Sequence, residues 1–529
     1  MHPLRTISTR ARDHLREAAY VDPGAIRIDT RALAAFRIGA GLLIIADVLL
    51  RARNFTFFYT EAGVVPQSLA REMAADNAIS VYYLTTDPTA IAALFVLTIL
   101  VAVQLIVGYK TRIAVVLSFL LVVSLDHHNP LVLSFADTLF RMLLFWAIFL
   151  PLGERWSVDA LHADSPPRRG ITSLASAAIL AQVVYMYVLN GYHKRESELW
   201  TGGEATPLIM GLDNTTFLLG DLMRNVPTLL QYGGLTWYYM LLFAWLLVFL
   251  RGHARTLLVA MFVGGHASFA ITVRIGAFAY VAIVGLLLFL QAPVWDRLEV
   301  LVRSAPIDRS RLAHARTELE RIGSRLPRAR IDSATFGRAR TTVYTVVLVV
   351  AVVSLLVVPT LSYLPVAQFV DEEDGPKDRI DDRADAIGVS QPDWTVFAPH
   401  PRTVDRYYVF PAETEDGNTV DAYNERPLTY ERPHDELQKQ FGTYRERFYM
   451  NSVRRGGPDD VVSETLAEHL CETWADHHGE DLARINMYYV VEDVPLEPID
   501  EPADRDREIR PIYAHGCGDN EPREIAPPE

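Results

Sequence analysis

Residues 185–205, YMYVLNGYHKRESELWTGGEA, gather the side chains of this chain best suited to chemistry. An apolar helix ends in His193, Lys194, Arg195, Glu196 and Glu198, and a Trp200-Thr201-Gly202-Gly203 turn follows. A lysine held where lipid meets protein is partly desolvated. Desolvation favours the neutral amine, and a neutral amine is a usable base. The same lysine also suits a snorkelling anchor at a helix end, and spacing alone ranks the anchor first.

Other candidates are scattered along the chain. Asp126-His127-His128-Asn129-Pro130 reads as a tight turn, and His266 sits in Gly264-Gly265-His266-Ala267-Ser268. No HxH or HExxH spacing supports a metal, so each histidine reads first as a hydrogen-bonding group and no metal is predicted. Arg37 and Asp47 lie in the first apolar run. Asp137 and Arg141 are four apart and share a helix face, which suits a structural ion pair more than a substrate contact. Gln104 and Gln182 suit hydrogen bonds between helices. Cys471 and Cys517 are the two cysteines. They could form one disulfide, as in an oxidising exterior, or stay free. A zinc site drawn from them with His477, His478 and His515 matches no established spacing. There is no Walker-type phosphate loop, Rossmann fingerprint or G-x-S-x-G elbow, so ATP-driven and dinucleotide chemistry have no support.

The elements that must position these residues are membrane spans. Half of the 529 residues are hydrophobic and only 22% are charged. Apolar runs of spanning length occur at 32–50, 89–107, 111–127, 131–151, 172–192, 235–250, 256–273, 275–293 and 341–363. The third has the shortest uninterrupted apolar part, 113–125, and the alternation of sides requires it. Connections 55–88 and 201–234 hold amphipathic pieces such as 216–222. The predicted fold is mainly α: a polytopic helical bundle of about nine spans, followed by a smaller extracytoplasmic α+β domain.

Loop charge gives the orientation. The arginine-bearing N-terminal segment, Lys110/Arg112, Arg155/Arg168/Arg169, Arg251/Arg255 and the arginine-rich 297–340 loop fall on one side, which should be cytoplasmic. The first thirty residues have no apolar core and are not a cleavable signal peptide. The expected division is a cytoplasmic segment 1–31, a membrane domain 32–293, a basic cytoplasmic loop 294–340, a last span 341–363 and an outer domain 364–529. Within the basic loop, Leu312, Leu319 and Ile322 fit an amphipathic helix on the anionic inner leaflet. In the outer domain, 407–410 and 485–491 read as strands and 463–477 as a helix, with 500–507 and 521–529 as loop and tail. The formal charge of −14 makes nucleic acid an unsuitable partner. The excess of Asp and Glu after Asp371 suggests a halophilic protein. The localisation expected is the plasma membrane, multi-pass, with the C-terminal domain extracellular.

Several ordered stretches resemble the HTTM group, the domain shared with vitamin K-dependent gamma-glutamyl carboxylase. They are Phe36-Arg37-Ile38-Gly39, Tyr59-Thr60-Glu61-Ala62-Gly63-Val64-Val65-Pro66, Gly108-Tyr109-Lys110-Thr111-Arg112, and Phe149-Leu150-Pro151-Leu152-Gly153 with Trp156-Ser157-Val158-Asp159. Asn190-Gly191-Tyr192-His193-Lys194, with Trp200, Gly202-Gly203 and His266, completes the set. Trp394-Thr395-Val396-Phe397-Ala398-Pro399 resembles the lead-in to the tail of bacterial and archaeal members, which implies a prokaryotic protein and, with the acidic composition, a haloarchaeal one.

The resemblance implies Lys194 as the base that deprotonates a reduced quinone, menaquinol-like in a prokaryote. His266 would assist, with His127, His128, His193 and Trp200 around the substrate. The chain departs from the carboxylase in Arg195-Glu196-Ser197, which leaves one extra residue before the tryptophan. Its acidic C-terminal domain is short and has no recognisable glutamate-peptide-binding region. Two readings follow. One is a quinol-dependent carboxylase or epoxidase, a carbon–carbon lyase in the carboxylase case. The other is a non-enzymatic membrane anchor whose outer domain binds lipid or a protein partner.

Overall fold

The computed structural model describes residues 24–304, 317–318, 320–327, 334–364, 375–495 and 505–527. The N-terminal segment before residue 24 and most of the first half of the basic loop lie outside them. So do residues 500–504 of the expected outer loop.

Each of the nine expected spans holds helix. In chain order these are α1 (Thr30–Ala52), α2 (Pro88–Val107), α3 (Thr111–His128), α4 (Phe135–Ala147), α5 (Leu174–Lys194), α6 (Pro227–Leu242), α7 (Gly252–Thr272), α8 (Phe278–Leu286) and α9 (Ala334–Val352). The short third apolar run forms an unbroken helix of 18 residues. Among the described residues, six helices are long and apolar enough to cross a membrane by themselves. The count is seven if α8, extended to Phe289, is taken with the helix Ala292–Ser304 that bends 106° from it.

α4 and α6 fall short of the expected length for local reasons. The Asn129-Pro130 turn postpones α4 until Ser134, where Ser134 and Asp137 form a capping box. α6 breaks at Phe243 before a short helix, Leu246–Phe249.

Two motifs lock one end of the bundle. Arg37 is buried in α1 and donates to the carbonyls of Leu105 and Ile106, satisfying the open C-terminus of α2, and to Trp156 O. Asp159 caps α3 by accepting from the amides of Lys110 and Thr111, both at 2.8 Å.

The C-terminal domain combines α10 (Pro376–Ala386), α11 (Tyr444–Arg455) and α12 (Val461–His478) with an antiparallel sheet. The strands are β1 (Val404–Val409), β2 (Pro411–Thr414), β3 (Thr419–Asp421), β4 (Arg426–Pro427), β5 (Leu482–Asp493) and β6 (Arg507–Gly516). β5 is the central strand. β1 and β2 share one edge of it and β6 runs along the other. A disulfide joins Cys471 of α12 to Cys517 just after β6, tying the helix to the sheet. The bond removes both thiols from any zinc site.

The domain is fastened to the bundle by a buried ion network. Arg51 at the end of α1 donates to Asp47 at 2.8 Å and to Asp126 of α3 at 2.5 Å. Arg141 of α4 donates to the other Asp126 oxygen at 3.0 Å. Arg445 of α11 reaches in to Asp137 of α4 at 2.8 Å, to Asp47 at 2.5 Å and to the Val132 carbonyl. The expected pair of Asp137 with Arg141 is therefore not the one formed. Asp137 uses one oxygen to cap its own helix and the other for Arg445 and Arg51, so Arg141 turns to Asp126.

Candidate functional site

The last two turns of α5 place Tyr187, Asn190 and Lys194 on one face, at helical spacing. Gly191 lets α6 come close to that end of α5, because a Cβ there would lie 2.8 Å from the Leu242 amide nitrogen. The face meets the loop 394–399 rather than bulk water.

Lys194 is 2% exposed. Its Nζ donates to the carbonyls of Val396 at 2.6 Å and Phe397 at 3.0 Å. It also sits 3.9 Å from the centre of the Trp200 ring. Trp200 Nε1 donates to the same Phe397 carbonyl at 2.8 Å, and Asn190 Nδ2 donates to the carbonyls of Trp394 and Val396. Trp394 and Phe397 both have φ of 50°, a left-handed conformation that costs a non-glycine residue roughly 1–2 kcal/mol. The strained backbone holds the two carbonyls at the lysine.

Among the described residues, Lys194 has no carboxylate partner. A neutral amine has two N–H donors and one lone pair. Both donors are used here, which leaves the lone pair free as a proton acceptor. An ammonium would instead present a third N–H, and the Trp200 face would favour it. The site therefore accommodates both states of a proton-transfer group.

Lys194 lines a cavity of about 480 Å³, within the ~300–1,000 Å³ range of small-molecule sites. The walls are mostly apolar, with Met186, Ile209 and Met240 among them, and Trp394, Val396 and Phe397 come from the C-terminal domain. His266 of α7, 1% exposed, lines the same cavity. Its Nε2 and the Tyr187 hydroxyl share a 2.7 Å hydrogen bond whose donor depends on the imidazole tautomer. His266 Nδ1 has no partner among the described residues. In either tautomer the ring offers one free polar atom. Trp237 stands edge-on to His266, and Gly265 makes room for it, since a Cβ there would lie 2.6 Å from the Trp237 ring.

Of the expected site residues, Lys194, Trp200 and His266 come together around this cavity, and three others do not. His127 Nδ1 pairs with the Ile79 carbonyl. His128 stacks between Tyr59 and Tyr82. Neither His127 nor His128 lines the Lys194 cavity. His193 points to the other side of α5, against the rings of Tyr192 and Tyr363. Among the described residues no group of three His, Cys, Asp or Glu side chains could hold a metal ion.

Tyr187, Asn190 and the 394–399 carbonyls are not among the site residues expected from the sequence, although Asn190 and the 394–399 stretch belong to its family motifs. The first two stand seven and four residues before Lys194, a spacing that could have found them. Backbone acceptors carry no side-chain signal.

The HTTM domain family model matches residues 26–295, just over half of the chain, and the chain belongs to the HTTM domain family. It is thus a membrane protein of a family related to the vitamin K-dependent carboxylase. No curated protein and no solved structure matches the chain.

Proposed function

We propose that this protein is a quinol-dependent membrane enzyme of the carboxylase or epoxidase type, with Lys194 as its base. The observation that carries the reading is a deeply buried lysine, without a carboxylate partner among the described residues, in the wall of an apolar cavity that is also lined by a histidine with an unpartnered nitrogen. A buried amine of this kind suits proton abstraction from a weakly acidic hydroxyl. The cavity fits a quinone head group in volume, in apolar lining and in the unpartnered Nδ1 of His266. A reduced quinone there would supply the acidic hydroxyl and the reducing electrons for reaction with oxygen. The chain supplies the rest. Lys194 takes the proton at Nζ, Val396 and Phe397 orient that nitrogen, His266 binds the opposite oxygen under the control of Tyr187, and the tryptophans exclude water.

Trp200, Trp237 and Trp394 all line the cavity, so binding is readable. Titration of the purified protein with a short-chain menaquinone analogue should quench tryptophan fluorescence saturably. Replacing Gly265 by leucine, which displaces Trp237 into the cavity, should weaken that quenching at least tenfold. Unsaturable quenching, unchanged by the substitution, would sink the quinone reading.

A second reading has its own observation in favour. The bonds from Lys194 to Val396 and Phe397 also fasten the C-terminal domain to α5, as in a membrane-anchored binding protein. That role predicts that Lys194→Arg keeps full function and that truncation before Pro365 abolishes it. Arginine cannot act as the base, so loss of function in Lys194→Arg separates the two.

The distribution of arginines supports a plasma-membrane orientation with the N-terminus cytoplasmic and the C-terminal domain outside. The Cys471–Cys517 disulfide suits that oxidising side. Protease accessibility of the C-terminal domain in intact cells tests it.

A further inference from the structure

A second cavity, of about 190 Å³, lies where α1 and α7 end against the C-terminal domain. It is too small for a bicyclic quinone and differs in kind from the Lys194 cavity. Four arginines line it (Arg51, Arg53, Arg274 and Arg445), and no aspartate or glutamate does. Arg51 and Arg445 are neutralised by the buried aspartates. Arg53 and Arg274 have no carboxylate partner among the described residues. Arg274 Nη1 donates only to Gln438 Oε1 and to the carbonyls of Gln438 and Phe441. The carboxylate of Glu446 is nearby but off the wall, held by the Gly442 amide and the Tyr423 hydroxyl. Two further donors on wall residues, Tyr444 Oη and Arg445 Nε, are shielded from solvent and have no hydrogen-bond partner among the described residues.

Two guanidinium groups outside any ion pair, with idle donors around a small cavity, describe an oxyanion site, and arginine matches phosphate geometry well. The cavity is also bordered by apolar surface. Leu50 is 44% and Tyr280 52% exposed, and both line it on the outside of the bundle. A chain-bearing ligand can lie along them while its head enters.

We propose that this cavity binds the phosphate of an anionic membrane lipid. Val273 and Ile275 line both cavities, so the bound head group would stand one residue's thickness from the Lys194 cavity. The proposal does not depend on any chemistry at Lys194.

Thermal unfolding of the full chain in nanodiscs tests it, with phosphatidylglycerol replacing part of the phosphatidylcholine, or with inorganic phosphate added to phosphatidylcholine discs. The expected result is an upward shift of a few degrees with phosphatidylglycerol. Arg53→Gln and Arg274→Gln should abolish it, and Arg71→Gln, outside the cavity, should keep it. The Arg53 side chain makes no hydrogen bond or ion pair among the described residues, so its variant keeps the fold. A shift with inorganic phosphate too, lost in the same variants, retains the oxyanion site and makes its occupant soluble phosphate. No shift, or one that survives both cavity variants, overturns the proposal.

Discussion

Arg51, Arg141 and Arg445 are buried against three aspartates, whereas Lys194, buried as deeply, meets only two carbonyl oxygens and an indole face. Both places meet the C-terminal domain, so burial and location do not separate them. Compensation does. In the arginine network each charge has an opposite neighbour, and the whole is neutral. Such a network specifies how two parts fit, and its charges are balanced within it. At Lys194 the partners are dipoles that suit either protonation state, and the lysine lines a cavity. In a bundle rich in buried polar groups, chemistry belongs at the group whose charge is not balanced.

The largest effect should come from breaking the balanced network. Arg445→Ala leaves Asp47 and Asp137 short of a counter-charge and should cost about 3–5 kcal/mol, read from unfolding in detergent. Lys194→Met, which loses two hydrogen bonds, should cost about 1–3 kcal/mol by the same measurement. Equal losses would break the comparison.

A third buried cluster sets two carboxylates, Asp213 and Asp405, side by side among Arg224, Arg432 and Arg505. Asp405 of β1 accepts from the amides of Asp213 and Asn214 and from Arg505. Burial, and then the neighbouring Asp213 carboxylate, push its carboxyl up to about 6. Its unfolded value is about 3.9, so the folded state holds the proton more tightly in between. The contribution of this group to stability is therefore full below about pH 4 and declines as pH rises through 6, by on the order of 2–3 kcal/mol. Asp405→Asn should flatten that part of the stability profile. A profile that keeps its slope in the variant would contradict the assignment.

The smallest effect belongs to the hydrogen bond that orients His266. Tyr187→Phe should cost about 1 kcal/mol in stability and weaken quinone quenching several-fold. Unchanged binding would remove His266 from the ligand's contacts.

The helical bundle was legible because spanning runs need only length and apolar composition, as 89–107 and 172–192 display. Exact ends were less so. The 131–151 run gave no weight to Ser134 and Asp137, whose capping box starts α4 late. Lys194, Trp200 and His266 were legible through the family motif. The partner of Asp137 was not, since Arg445 lies 308 residues away and local spacing offered Arg141 instead. The loop 394–399 was recognisable as a stretch, yet its role rests on carbonyls and on two left-handed residues, which no side-chain pattern announces.

The most direct test of the account is oxygen uptake driven by menaquinol in nanodiscs, comparing the wild-type chain with Lys194→Met. The account predicts quinol-dependent uptake in the wild type and a loss of about a hundredfold or more in the variant, with quinone quenching still present. Uptake that is absent from the wild type, or equal in both, would contradict it.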